Sequence, residues 1–296
     1  MELGQVTLRD GRRVDTFTGG DPDGPAVLLQ HGLPGSRLTA AFADEAALQS
    51  GVKVLSLSRP GFGGSSPAPP GLALRGRDAL EVASEIGVEE FAVLGISFGG
   101  PFAAATAIAG GGRVAALGIV GGVGPWRDLD DFPEERQIME LDDEGRHEEA
   151  LAAYRTLAGT WFDGLRATKT DDELLQAMDV VAGATSTDDG SPDPDAELMQ
   201  DPEIRRLFAR DIRESLTTVE GVCLDNISAG RVWDVDVETI RQPTFLWYGE
   251  LDHALTAHGN WWKSRIAQAH LTIRPGCGHL GTILQNWPDM LRALTA

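Results

Sequence analysis

The chain has 296 residues, and its 45 acidic against 25 basic side chains give a formal net charge of -20. Such a surface repels phosphate backbones and anionic lipid, which argues against nucleic acid or a membrane as partner. Hydrophobic residues make up 42% of the sequence. That share supports a sizeable core, yet no run reaches the roughly 18 apolar residues of a membrane span.

The first segment, MELGQVTLRDGRRVDTF, has no basic patch followed by an apolar stretch, so no secretory signal is expected. A cytoplasmic protein acting on a small-molecule substrate, as a monomer or homodimer, is the expectation. Cys223 and Cys277, the only cysteines, make no disulfide framework and have no metal-ligand spacing. No metal or organic cofactor is expected.

In chain order, Gln5–Leu8 and Val14–Phe17 around Asp10-Gly11 read as a β-hairpin. Short apolar runs follow at Ala26–Gln30, Val52–Leu57, Phe91–Gly95, Val114–Val120 and Thr244–Tyr248. Runs without strict alternation are what strands buried on both faces look like. Between them, Leu72–Ile86 carries an apolar stripe at helical spacing and Phe98–Ala109 is alanine-rich. Leu280–Leu294 is helical in spacing, with Pro288 expected to interrupt it. Alternating strands and helices imply an α/β fold with a mostly parallel sheet covered on both faces.

Strands stop at Val120 and resume at Thr244. Helical periodicity over Glu134–Leu157, Asp171–Val181 and Ile204–Leu216, with a polar break at Thr185–Asp195, marks a helical cap (lid) at 125–239 inserted into a core of 1–124 and 240–296. The expected place for this insertion is over the C-terminal ends of the strands; the plainer alternative is a peripheral helical layer. Trp126, Tyr154, Trp161 and Phe162, with Phe208 and Trp233, are candidates to line a substrate pocket there. The alternative, that at least half of them form the lid's own small core, stands beside it.

The chemical signal is Gly95-Ile96-Ser97-Phe98-Gly99, which directly follows one apolar run and opens the alanine-rich helix. A G-x-S-x-G on a strand–turn–helix holds its serine in a strained turn at the start of a helix, where negative charge is favoured. His31-Gly32-Leu33-Pro34-Gly35 follows the second apolar segment, and Arg59-Pro60-Gly61-Phe62-Gly63-Gly64-Ser65 ends the third. Gly249-Glu250-Leu251-Asp252 and Gly276-Cys277-Gly278-His279 close the set.

Together these motifs resemble the α/β-hydrolase superfamily, in the serine branch with a helical lid, over nearly the whole chain. The resemblance implies a triad of Ser97 as nucleophile, His279 as base and Asp252 as the acid that orients it, in the family's chain order. It also implies an oxyanion hole from the backbone N–H groups of Leu33 and Phe98. Ser58 stands where the family pattern has aspartate. His31 is expected to hold the oxyanion loop, and Gly121-Gly122-Val123-Gly124 occupies the alternative acid position used by some members. The expected activity is hydrolysis of a small ester or related acyl bond. Alternatives on the same residues are an aminopeptidase similar to the proline iminopeptidases, a carbon–carbon bond hydrolase, cofactor-free perhydrolysis, and a non-catalytic binding protein. Serine at the elbow argues against the dehalogenase and epoxide hydrolase branches.

Overall fold

A computed structural model describes residues 1–129, 132–181, 195–252 and 256–296, with the side chains of 179–181 left aside. The strands are β1 (Glu2–Thr7), β2 (Arg13–Gly20), β3 (Ala26–Gln30), β4 (Lys53–Leu57), β5 (Phe91–Ile96), β6 (Val114–Val120), β7 (Thr244–Gly249) and β8 (Ala269–Arg274). They form one eight-stranded sheet in the order β1-β2-β4-β3-β5-β6-β7-β8. β2 pairs antiparallel with β1 and with β4, and every other pairing is parallel. The expected mostly parallel α/β sheet is therefore present.

Core helices are α1 (Asp44–Gln49), α2 (Leu72–Glu85) and α3 (Gly100–Gly110), preceded by a 3-10 turn at Arg37–Phe42. Between β6 and β7 come α4 (Trp126–Leu129), α5 (Pro133–Asp143), α6 (His147–Ala167), α7 (Asp171–Val181), α8 (Pro202–Ser215) and α9 (Glu220–Gly230). The chain ends with α10 (Thr256–Arg265), α11 (His279–Leu284) and α12 (Trp287–Thr295). Pro288 sits at the start of α12 and splits the expected C-terminal helix in two, because proline is tolerated in a first turn and not in a helix interior. Gly145, at a φ of 80°, likewise separates α5 from α6 where the periodicity reads as one helix.

Both sheet faces are apolar. Leu28, Val93, Leu117 and Leu246 pack with Ala79, Val82, Ala103 and Trp262 on one face. Val27, Leu29, Leu94 and Val120 pack with Leu38, Ala47, Met290 and Leu291 on the other. This two-sided burial is why the strands read as continuous apolar runs. Helix α9 escaped the periodicity because it is buried on all sides from Gly221 to Gly230 and has no polar face. Among the described residues no helix is long and apolar enough to cross a membrane.

Candidate active site

β5 ends at Ile96 and the chain turns sharply into α3 through Ser97–Gly99. Ser97 has a φ of +52°, and it is the one non-glycine residue with positive φ among those described. That conformation is strained for an L-residue and persists only where its surroundings impose it. Here they do. A Cβ on Gly99 would lie 2.1 Å from the Gln30 carbonyl oxygen, and one on Gly95 would lie 2.6 Å from the Gly99 carbonyl oxygen. The glycines of the motif thus let β5, β3 and α3 close around the serine.

Asp252 follows β7, and His279 is the first residue of α11. His279 Nδ1 and Asp252 Oδ2 are 2.8 Å apart, with Asp252 buried and the imidazole partly open to solvent. A proton on Nδ1 that donates to the carboxylate leaves Nε2 as the ring's acceptor. The ring lies against Gly121, where a Cβ would come within 2.7 Å of His279 Cε1. The loop after β6 is itself tied down: Tyr248 donates to the Gly122 carbonyl (2.5 Å) and His258 Nδ1 accepts from the Gly124 N–H (2.8 Å). Ser97 and His279 line one cavity, with no direct hydrogen bond between them among the described residues.

The loop after β3 approaches Ser97 closely. A Cβ on Gly32 would be 3.4 Å from Ser97 Cβ, and the Leu33–Pro34 peptide is cis. Among the described residues, none accepts the Leu33 N–H. His31 is fully buried; it accepts from the Arg59 N–H through Nε2 (3.1 Å) and donates from Nδ1 to the Gly32 carbonyl (2.8 Å). Burial and the Arg59 charge push its pKa well below the usual value, so it stays neutral. The Arg59 guanidinium donates to the His31 carbonyl (2.7 Å) and to Asp225 of α9 (2.7 Å). It also stacks over Phe102, 4.3 Å from the ring centroid. Both members of this ion pair are buried, and burial opposes the charge on each. Where the motif pattern has aspartate, the Ser58 hydroxyl accepts from the Arg37 N–H (3.0 Å).

A strained serine, a histidine–carboxylate pair and a backbone loop facing them meet at the C-terminal ends of β5, β7, β8 and β3. The family model described as alpha/beta hydrolase fold matches residues 25–284. This chain belongs to the α/β-hydrolase fold family.

Solved α/β-hydrolase structures superimpose over essentially the whole chain. A hydrolase from Pseudomonas aeruginosa PA01 has a TM-score of 0.68 at 19% identity, covering 99% of this chain and 98% of that one. A thermophilic esterase from Thermogutta terrifontis has a TM-score of 0.67 at 18% identity and covers 100% of both chains. An esterase from Exiguobacterium antarcticum has a TM-score of 0.63 at 17% identity, covering 99% of this chain and 98% of that one. At these identities the likeness is one of fold. None of the curated proteins matches the sequence significantly.

The cavity lies between the sheet's C-terminal edge and the helices that follow β6. Its volume is about 530 Å³. Leu175, Met178, Met199 and Phe208, from the stretch between β6 and β7, line it together with Phe42 and Ile283. Phe208 and Phe42 meet edge to face at 5.6 Å. Trp126, Tyr154, Trp161 and Phe162 do not line it, which corrects the expectation for those four. Trp126, Tyr154 and Phe162 are buried in the helical segment's own core, and Trp161 packs against the same cluster. The apolar stripe of α6, with Tyr154 and Phe162, is taken up by α5, α7 and α9, while Trp161 stays half-buried at its margin.

Two carboxylates of the cavity wall were not among the sequence candidates. Asp211 of α8 accepts from the Ser36 N–H (2.8 Å) and from the Ser36 and Thr39 hydroxyls (both 2.6 Å). Burial pushes its pKa up to about 7 in spite of those donors. Asp195 accepts from two N–H groups at the start of α11. No motif signals either residue, because their partners lie far away in sequence.

The competing candidates lie elsewhere. Glu250 is exposed and accepts from the Gly276 N–H (2.9 Å), while Asp128 is exposed on α4. His147 is exposed beside Asp142, and His270 packs on Phe245. His253 lies outside the described residues, as does most of the polar break at 185–195.

Proposed function

We propose that the protein is a serine hydrolase that cleaves carboxylic esters of small to medium acyl chain through an acyl-enzyme, with residues 125–239 forming a lid over the site. The observation that carries this is the strained Ser97, which opens into the same cavity as the His279–Asp252 pair. His279 Nε2 takes the serine proton as Ser97 Oγ attacks the ester carbonyl, and returns it to the departing alkoxide. Asp252 keeps the ring in the acceptor tautomer and stabilises the imidazolium. The N–H groups of Leu33 and Phe98 serve as oxyanion donors, a contribution of about 3 kcal/mol each in such sites. Water, activated by the same histidine, then releases the acid.

The wall of Leu175, Met178, Met199 and Phe208 is apolar and suits an acyl chain. It does not suit the ammonium of an aminoacyl substrate. Among the described residues the wall carboxylates, Asp195 and Asp211, are each engaged by core donors. Titration with p-nitrophenyl esters from acetate to decanoate tests the reading. Hydrolysis that disappears in Ser97→Ala, with an optimum at intermediate chain length, is expected. Hydrolysis that survives Ser97→Ala overturns the nucleophile, and cleavage of proline β-naphthylamide in preference to every ester overturns the substrate class.

A further inference from the structure

Several core helices begin without a side-chain N-cap, and two of them, α2 and α11, are capped instead from the segment between β6 and β7. α2 follows Gly71 and α11 follows Gly278, and neither glycine offers a side-chain acceptor to the first turn. Unpaired N–H groups at a helix start need acceptors. Both helices receive one from the lid. Asp234 accepts from the Leu72 and Ala73 N–H groups (2.9 and 3.0 Å). Asp195 accepts from Leu280 (2.7 Å, Oδ2) and Gly281 (2.9 Å, Oδ1). The two caps differ in what they hold: α2 carries none of the candidate catalytic residues, whereas the first residue of α11 is His279.

The Asp195 contact is built closely. A Cβ on Gly278 would lie 2.7 Å from both carboxylate oxygens, so the glycine before His279 is what admits the carboxylate. α11 has only six residues, too few for a helix to hold its own first turn without outside support. The position of that turn sets where the imidazole sits relative to Ser97.

We infer that Asp195 is a positioning residue for His279, so that seating the lid on the core and aligning the catalytic base are one event. The inference rests on the reading of His279 as the base. Both acceptors of the carboxylate are used on consecutive N–H groups, which fixes the first turn in two directions rather than one. A base displaced by about an ångström loses on the order of 100-fold in rate. The lid thus does more than wall the cavity: it carries the support for one member of the triad.

The test compares Asp195→Ala, Asp195→Asn, Asp234→Ala and His279→Ala in the full-length protein. Readouts are kcat and KM for p-nitrophenyl butyrate, the rate of Ser97 labelling by a fluorophosphonate, and the thermal midpoint. Asp195→Ala should lower kcat by about 10- to 100-fold, leave KM within about threefold, and slow labelling by the same factor as kcat. Asp195→Asn, which keeps one acceptor oxygen, should fall between it and the wild type. Asp234→Ala removes the equivalent support from α2 and should lower the midpoint without slowing labelling. The inference is overturned if folded Asp195→Ala keeps kcat within about twofold of wild type, if only KM rises, or if Asp234→Ala slows labelling equally. Activity retained by His279→Ala would remove the base assignment itself, a failure distinguishable from these.

Discussion

The sheet and the helical segment are held together by different physics. Within the core, cohesion is apolar: Val27, Leu28, Leu29, Val93 and Leu94 are fully buried between two helical layers, each contributing on the order of 2 kcal/mol. At the seam between core and helical segment, polar anchors carry the registration. Asp225 meets Arg59, Asp211 meets Ser36 and Thr39, Asp195 meets the start of α11, and Asp234 meets the start of α2. Apolar packing is non-directional and tolerates sliding, whereas hydrogen bonds fix distance and angle. A segment held in one place beside Ser97 is therefore better fixed by carboxylates than by an apolar face alone.

The largest test of this contrast separates chemistry from cohesion. Asp252→Asn should leave both the apolar core and the polar seam intact while lowering kcat by about 10³- to 10⁴-fold, because the imidazole loses its tautomer control; ester kinetics alongside a thermal melt read both. Asp225→Ala attacks the seam instead. It leaves the buried Arg59 without its partner, and should destabilise the protein by about 3–5 kcal/mol, measured as a fall in the urea midpoint. A loss below about 1 kcal/mol would mean that the seam matters far less than proposed.

Asp211 gives the seam a pH dependence. Its folded pKa, about 7, lies above the roughly 4 of an exposed aspartate. Its contribution to stability is therefore full below about pH 4 and is lost as pH rises through about 7. Asp211→Asn should cost less stability at pH 8 than at pH 5, by differential scanning calorimetry at both pH values. An equal cost at the two would refute the assignment. The smallest expected effect concerns the wall. Phe208→Ala opens space beside Phe42 and should move the preferred acyl chain to greater length, with a change of about fourfold in relative kcat/KM per methylene accommodated, from roughly 0.8 kcal/mol per buried methylene.

What could be read in the sequence was whatever is local. A strand buried on both faces leaves a short apolar run, a tight elbow requires glycines around its serine, and a loop at the end of a strand places its aspartate or histidine within a few residues. Hence the sheet and the turn at Ser97 follow from short stretches of chain, while the pairing of Asp252 with His279, 27 positions apart, was implied by the family resemblance of their motifs. Which aromatics face the cavity was not legible, because α6 presents the same periodic stripe whether it packs on α5 and α9 or on a ligand. Nor were the seam carboxylates. Asp195 meets Leu280 across 85 positions, Asp234 meets Leu72 across 162, and Asp211 meets Ser36 across 175. Each reads in sequence as one more acidic residue in a chain of net charge -20. Only the packed fold separates them from the solvated surface, because burial and a facing N–H are properties of position in space, which residue type alone does not carry.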